Sequence, residues 1–169
     1  KDKRGSKNAL RLPYSKEMFD VPPNLYIIGT MNTADRSLVK LDVALRRRFA
    51  FVELMPKSSE LDDNKISGIS VRKILDKINQ RIKDKGRREY QIGHAYFMPD
   101  GKTVDSISQL QYIFAYEIIP LLREYFFDND EKLKEILKEQ FIDWENMTVK
   151  DDWQKNEGDF LQNLEEFMK

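Results

Sequence analysis

The chain has 169 residues, which suits one domain of ordinary size, and its 29 Lys and Arg residues balance 29 Asp and Glu residues. A net charge of zero argues against a strongly basic nucleic-acid binder. The absence of Cys excludes disulfides and thiolate chemistry, and the single His, His94, excludes a multi-histidine metal site within the chain. No apolar run approaches the roughly 20 residues of a membrane span, so the expected location is the cytoplasm.

The first third of the chain predicts two strands. Residues 1–24 contain Pro13, Pro22 and Pro23, which favour an extended lead-in. The apolar run 25–30 (LYIIGT) is typical of a strand that is buried on both faces, and residues 49–54 (FAFVEL) predict a second strand. A short helix between them makes a crossover, so the two strands are expected to be parallel.

The remainder predicts helices. A polar stretch over 57–66 is expected to be a linker, and apolar residues at helical spacing predict a helix over 67–84 that Gly86 ends. Residues 90–98 are expected to be extended. The spacing further predicts a helix over 107–126 that Pro120 kinks or restarts, a helix over 130–141, and weaker helices in a tail over 143–169. The aromatic residues of 112–127 are expected to lie in the core.

Charge is distributed unevenly along the chain. Residues 128–169 carry 13 acidic and 6 basic side chains, whereas 36–48 holds five basic residues and one acidic residue. The acidic segment is interpreted as a solvated helical surface. The basic segment ends in three consecutive arginines, and Arg is suited to phosphate recognition and to stabilising charge during phosphoryl transfer.

Polar residues follow the first predicted strand directly. Because ligands in open α/β sheets bind beyond the carboxyl ends of the strands, Asn32 is placed where its amide can orient a water or a phosphate. The predicted short helix then delivers the arginines of 46–48 to the start of the second strand. This order of elements predicts a phosphate-directed site near Asn32.

Four strings resemble the McrB family of AAA+ motors, the GTP-hydrolysing subunits of modification-dependent (5-methylcytosine-specific) restriction systems. The string at 31–36 (MNTADR) is similar to that family's signature in the sensor-1 region, and the string at 44–49 (ALRRRF) to its arginine-finger region. Two further strings, QIGHAYF at 91–97 and IIPLLREYF at 118–126, resemble its helical lid. The resemblance spans roughly residues 1–140.

The sequence departs from that family in two respects. It has no Gly-x-x-x-x-Gly-Lys-Ser/Thr loop to cradle phosphates (Walker A), and no apolar strand that ends in paired acids (Walker B) before Asn24. We therefore expect a C-terminal part of such a protein, inactive alone. The resemblance implies an α/β piece with the last two parallel strands of a P-loop AAA+ core over 1–56. The linker, a lid over 67–142 and the tail follow, so that the chain is mainly α overall.

The resemblance also implies roles for individual residues. Asn32 is expected to be the sensor that positions the attacking water, with capping of the next turn as the alternative. Arg47 and Arg48 are expected to act in trans on the nucleotide of a neighbouring subunit, and Arg46 either joins them or is a solvated charge. Supporting roles fall to three residues, with a local salt bridge or a surface carboxylate as alternatives: Asp35, Arg36 and Asp42. Gly93 and His94 are placed near the nucleotide base, although a structural role for His94 is preferred.

The implied ligand is GTP, or ATP, with Mg²⁺ in the intact protein, and none is expected to be tightly bound to this chain. The implied partners are further copies in a ring, a McrC-like nuclease subunit, and DNA held through domains outside this sequence. Together these imply GTP hydrolysis that drives DNA translocation and cleavage. The alternatives are an ATPase of another AAA+ branch and a non-catalytic protein-interaction module; direct DNA binding by this chain is the least favoured.

Overall fold

The computed structural model describes residues 4–32 and 47–169, and the chain divides into two compact units, Lys1–Val52 and Glu53–Lys169. In the first unit, a 3₁₀ turn over Ser6–Asn8 precedes a hairpin of strands β1 (Leu10–Arg11) and β2 (Met18–Phe19). The hairpin is antiparallel, with Leu10 opposite Phe19. The predicted short helix lies outside the described residues.

The two parallel strands predicted from 25–30 and 49–54 are not confirmed. Neither segment is paired in a strand ladder among the described residues. Burial on both faces was expected, but Ile28 is 94% exposed and Tyr26 and Val52 are also exposed. The physical reason is that a strand is stabilised by hydrogen bonds and side-chain contacts with neighbouring strands, and an apolar run cannot supply these alone.

The second unit is mainly helical, and its first helix matches the prediction closely. A tight hairpin of β3 (Lys65–Ile66) and β4 (Ile69–Ser70) leads into α1 (Val71–Asp84). Every apolar residue of the predicted stripe on α1 is buried: Val71, Ile74, Leu75, Ile78 and Ile82. Gly86 has φ +71°, its N–H donates to the Lys83 oxygen, and the Arg87 N–H donates to the Ile82 oxygen. This pair of bonds is the glycine-dependent C-terminal cap that was predicted.

Short turns, rather than an extended segment, occupy residues 88–101. Three 3₁₀ turns follow one another, at Arg88–Tyr90, His94–Phe97 and Pro99–Gly101. The expectation of an extended 90–98 is therefore wrong. The buried side chains of Tyr90, Ile92 and Phe97 hold these turns against the helices, and this packing decides the backbone conformation.

One continuous helical run spans 107–125. It consists of α2 (Ile107–Ile113), a π turn at Phe114–Ile118 and α3 (Ile119–Tyr125), with Pro120 in the first turn of α3. Because Pro has no N–H, the regular ladder is interrupted before it, and the π turn restarts the helix as predicted. Phe114 and Phe126 are buried, but Tyr112, Tyr116 and Phe127 are exposed, so the expectation that all these aromatics lie in the core is wrong.

The last part of the chain completes the core. Helix α4 (Asp130–Leu137) is followed by an antiparallel hairpin of β5 (Ile142–Asp143) and β6 (Thr148–Val149), and then by α5 (Asp151–Lys155) and α6 (Glu157–Met168). The Phe141 ring lies within 5.7 Å, between ring centroids, of those of Phe114, Trp153 and Phe167. The residues predicted as a tail therefore contribute an aromatic cluster to this unit.

Arg81 joins three helices of this unit. Its guanidinium donates to the Ile136 oxygen at 3.0 Å and to the Phe167 oxygen at 2.8 Å, and lies 4.1 Å from the Phe167 ring centroid. Both carbonyls belong to the last turns of their helices, where oxygens lack helical partners and a cation is favourable. Burial lowers the pKa of Arg81 from its ordinary value.

We predict that Arg81→Met lowers the free energy of unfolding by about 2–3 kcal/mol, because two carbonyl oxygens lose a charged donor and an aromatic ring loses its cation. Urea unfolding followed by circular dichroism measures this loss. Lys73→Met, at an exposed position of the same helix, is the control and should change stability by less than about 0.5 kcal/mol. Equal stabilities for the two variants contradict the bridging role.

Candidate functional site

The residues predicted for the site are divided between the two units. Asn32, Arg47 and Arg48 belong to the first unit and are all exposed. Gly93 and His94 belong to the second unit, where they are neighbours in one turn and half-buried. The remaining predicted residues lie outside the described part of the chain: Asp35, Arg36, Asp42 and Arg46. Their roles therefore stay predictions.

Arg47 and Arg48 lie in a turn that ends at Phe49. The exposure of both arginine side chains leaves their guanidinium groups accessible to a ligand or a second protein. Such a group has five N–H donors in a planar fork, a geometry that matches phosphate oxygens. The turn is therefore chemically suited to an anionic partner outside this chain.

The turn that contains His94 is fixed by hydrogen bonds at both ends. The buried side chain of Asn79 accepts from the Ile92 N–H at 2.6 Å and donates to the Ile92 oxygen at 2.9 Å. At the other end the Val104 N–H donates to the Phe97 oxygen at 3.0 Å. Since Ile92 and Phe97 are themselves fully buried, residues 93–96 project from a rigid base.

The ring of His94 is oriented by residues 53–57, at the start of the second unit. Its Nδ1 accepts from the Lys57 backbone N–H at 3.3 Å. A ring nitrogen that accepts carries no proton, so the proton of the neutral ring lies on Nε2, which is left as a donor. Glu53 pairs with Arg88 at 2.9 Å, which is a second contact between residues 53–57 and the turns at 88–97. Both roles given for His94 above, a structural one and contact with the nucleotide base, stay predictions.

The stretch predicted as a linker, 57–66, makes several contacts within the second unit. Leu61 is buried, and its oxygen accepts from the guanidinium of Arg72 on α1. The Asp62 N–H donates to the Thr103 hydroxyl at 2.7 Å, and the Asn64 amide donates to the Val104 oxygen. The domain boundaries given above stay a prediction.

Among residues 4–32 and 47–169, no group of three or more His, Asp or Glu side chains is arranged to hold a metal ion. No helix in this described part is both long and apolar enough to cross a bilayer. The predicted site residues that the structure describes are the exposed Asn32, Arg47 and Arg48 and the half-buried Gly93 and His94.

Sequence reasoning missed Asn79, which fixes the turn at residues 93–97. The available signal was a polar side chain between the buried positions Ile78 and Ile82 of an amphipathic helix. A buried amide requires hydrogen-bond partners, so such a residue indicates that a backbone segment crosses the helix at that point. The identity of the partner, Ile92, requires the tertiary structure.

These features define a class of protein module, a small α-helical domain that presents a rigid turn. Residues 70–134 match the family described as "McrB, alpha-helical lid domain". This part of the chain is therefore a lid domain of the McrB family, and the predicted resemblance is confirmed.

Two curated relatives extend the similarity beyond the lid. The chain is 39% identical over 149 residues to the EcoKMcrB subunit of a type IV methyl-directed restriction enzyme from Escherichia coli (strain K12), covering 78% of this chain and 32% of that protein. It is 28% identical over 124 residues to component YdiS of the type II restriction enzyme BsuMI from Bacillus subtilis (strain 168), covering 68% of this chain and 34% of that protein. The chain thus spans about a third of the length of these relatives.

Proposed function

We propose that this chain is the C-terminal part of the AAA+ motor subunit of a McrB-like restriction system. The observation that carries the proposal is the 39% identity to a methyl-directed restriction subunit over 149 residues, a longer stretch than the lid match at 70–134. Both relatives are components of restriction enzymes. The proposed activity is GTP hydrolysis with Mg²⁺ that drives DNA translocation and cleavage by a McrC-like nuclease.

In this proposal the first unit supplies the groups that act on the nucleotide. The Asn32 amide orients the attacking water near the γ-phosphate, and Arg47 and Arg48 stabilise charge at the nucleotide of a neighbouring subunit in the ring. Their exposure supports this assignment, because an arginine that acts in trans must be accessible from outside its own chain. Asp35, Arg36, Asp42 and Arg46 are assigned supporting roles in the same segment.

The second unit supplies the lid. Its turn at 93–96 is held rigidly by Asn79 and Phe97, and the Nε2–H of His94 is directed by the contact at Nδ1. We assign Gly93 and His94 to contact with the nucleotide base. Rigid support of this kind reduces the conformational entropy that binding removes from the turn. The proposed location of the whole assembly is the cytoplasm, with DNA held by other domains of the protein.

The test is the turnover of the full-length protein with GTP and with ATP. We predict that Asn32→Ala lowers turnover by on the order of 100-fold while nucleotide affinity stays nearly constant, because only the position of the attacking water is lost. Steady-state hydrolysis and equilibrium binding of a non-hydrolysable analogue give the two quantities. Asn8→Ala, at another exposed Asn of the first unit, is the control.

The outcomes distinguish the proposal from its alternatives. A parallel fall in affinity and turnover makes Asn32 a binding or structural residue. Turnover of ATP but not of GTP indicates a motor of another AAA+ branch. No turnover of either nucleotide in the unmodified full-length protein indicates a non-catalytic interaction module and overturns the proposal.

A further inference from the structure

The helical run 107–125 and the residue just beyond it carry aromatic side chains that are exposed to a large extent, here called the aromatic face. Tyr112 is 58% exposed and Tyr116 is 63% exposed, and their ring centroids lie 4.8 Å apart, one turn from each other on the run. Pro120 follows one turn further on and is exposed, and Phe127, just beyond the end of α3, is 70% exposed. Neighbouring exposed aromatics of this size are typical of surfaces that bind another protein.

An open groove of about 510 Å³ continues this face at its C-terminal end. Its apolar lining comes from α3, from the connection to α4, from α4 and from the tip of the β5–β6 hairpin: Pro120, Phe127, Leu133 and Met147. The Arg123 guanidinium donates to the Met147 oxygen at 2.9 Å, which ties the hairpin tip to α3. The groove is thus formed by elements that are already bound to each other.

The rim of the groove is acidic. Glu124 and Asp130 line it, and neither carboxylate forms a hydrogen bond or an ion pair that the described part of the chain supplies. Arg123, the cation that the described residues contribute to the lining, already donates to a backbone oxygen. The groove also borders the segment 128–169, which carries 13 acidic and 6 basic side chains. An apolar floor with carboxylates at its edge complements a cationic, amphipathic ligand.

We propose that the aromatic face and the groove together dock a basic amphipathic helix of a partner protein. Apolar residues at the i, i+4 and i+7 positions of that helix contact Tyr116, Phe127 and Met147, and its Lys or Arg residues pair with Glu124 and Asp130. The proposal concerns the second unit alone and does not depend on the nucleotide roles assigned above.

Two other occupants fit the surface less well. A small molecule requires an enclosed site with convergent polar groups, whereas this groove is open and its carboxylates lie on the rim. A second copy of the chain in a two-fold contact sets Glu124 and Asp130 close to the same residues of its partner, and like charges at an interface are repulsive. A partner helix of opposite charge satisfies both the apolar floor and the rim.

The test uses the 169-residue chain and a short fluorescein-labelled peptide with Leu and Phe at the i, i+4 and i+7 positions and Lys elsewhere. Fluorescence anisotropy measures its affinity beside two reference peptides, one with a scrambled sequence and one with Glu in place of Lys. We expect the amphipathic basic peptide to bind at least about tenfold more tightly than either reference peptide. Equal binding of the scrambled peptide shows non-specific attraction and overturns the proposal.

Variants of the chain locate the peptide. Glu124→Lys with Asp130→Lys reverses the rim and should weaken binding about tenfold at low salt, and Phe127→Ser should weaken it by a similar factor. The matched control is Glu165→Lys with Glu166→Lys, which makes the same charge change at exposed positions of α6 and should alter affinity less than about twofold. If the double Lys variant has a lower melting temperature than the unmodified chain, the neutral variant Glu124→Gln with Asp130→Asn is used in its place.

Two results contradict the proposal directly. Unchanged affinity in the groove variants, or an equal loss in the α6 control, shows that the peptide binds elsewhere. Sedimentation that detects a dimer of the chain, together with its dissociation by Phe127→Ser, makes a second copy the occupant.

Discussion

Replacement of Arg47 and Arg48 by Ala in the full-length protein is expected to reduce GTP turnover by about 10³–10⁵-fold, while nucleotide binding is largely retained. This is the range in which an arginine that stabilises transition-state charge in phosphoryl transfer typically acts. Both side chains are exposed in a turn of the first unit, which leaves them accessible to a neighbouring subunit. Single-turnover hydrolysis and equilibrium binding separate the loss of chemistry from the loss of affinity.

The proposed action of these arginines in trans is tested by a separate measurement. Protein with Arg47→Ala and Arg48→Ala is mixed with protein that carries Asn32→Ala, each nearly inactive alone. In mixed rings, some sites combine an intact Asn32 with intact arginines from the adjacent subunit, so turnover should rise above that of either variant. Arg11→Ala, at an exposed arginine of the β1–β2 hairpin, is the control and should retain turnover. Near-normal turnover in the single variants and in the double variant rules out the assignment.

Trp153→Ala is expected to lower the free energy of unfolding of the second unit by about 3–5 kcal/mol, the range for truncation of a buried large aromatic side chain. Trp153 is 0% exposed, and its ring centroid lies 5.5 Å from that of Phe141 and 5.6 Å from that of Phe160. Its indole N–H donates to the Phe141 oxygen at 3.1 Å. Truncation therefore leaves a cavity and removes one of the two donors to the Phe141 oxygen, which also accepts from the Lys150 N–H at 3.1 Å.

The second tryptophan of the chain provides the control. Trp144 is half-buried, and its indole donates to the Lys138 oxygen at the surface, so Trp144→Ala should cost about 1 kcal/mol or less. Urea unfolding followed by circular dichroism measures both variants. The loss in the free energy of unfolding for Trp153→Phe should lie between those of the two Ala variants, because Phe keeps an aromatic ring in the core but lacks the indole N–H. Similar losses for Trp153→Ala and Trp144→Ala contradict a core role for the C-terminal segment.

The features that the sequence predicted correctly depend on neighbours within a few residues. The helical spacing of Val71, Ile74 and Ile78 identifies the buried face of α1, and Gly86 ends that helix because glycine adopts a positive φ without strain. Pro120 restarts the helical run because it has no N–H to donate. The resemblance of 91–97 and 118–126 to a McrB lid is of the same kind, since those strings are read without knowledge of the fold.

The predictions that were wrong or were not confirmed depend on distant parts of the chain. The apolar segments 25–30 and 49–54 have the composition of buried strands, but a strand forms only with a partner, and in the described residues neither segment has one in a strand ladder. Residues 90–98 form turns because Asn79 bonds both backbone groups of Ile92 from another element. The site residues between 33 and 46 lie outside the described part of the chain, and the sequence alone supports their roles.

The aromatic residues show most clearly which features the sequence determines and which depend on the tertiary structure. Composition alone determined that this chain has enough large apolar side chains for a core, and periodicity determined which face of α1 lies in it. Only the tertiary structure decided that Trp153 and Phe160, in the predicted tail, are buried while Tyr112, Tyr116 and Phe127, in the predicted core stripe, are exposed. The physical reason is that burial depends on which surfaces of a helix other elements cover, and this is fixed by packing between residues far apart in the chain.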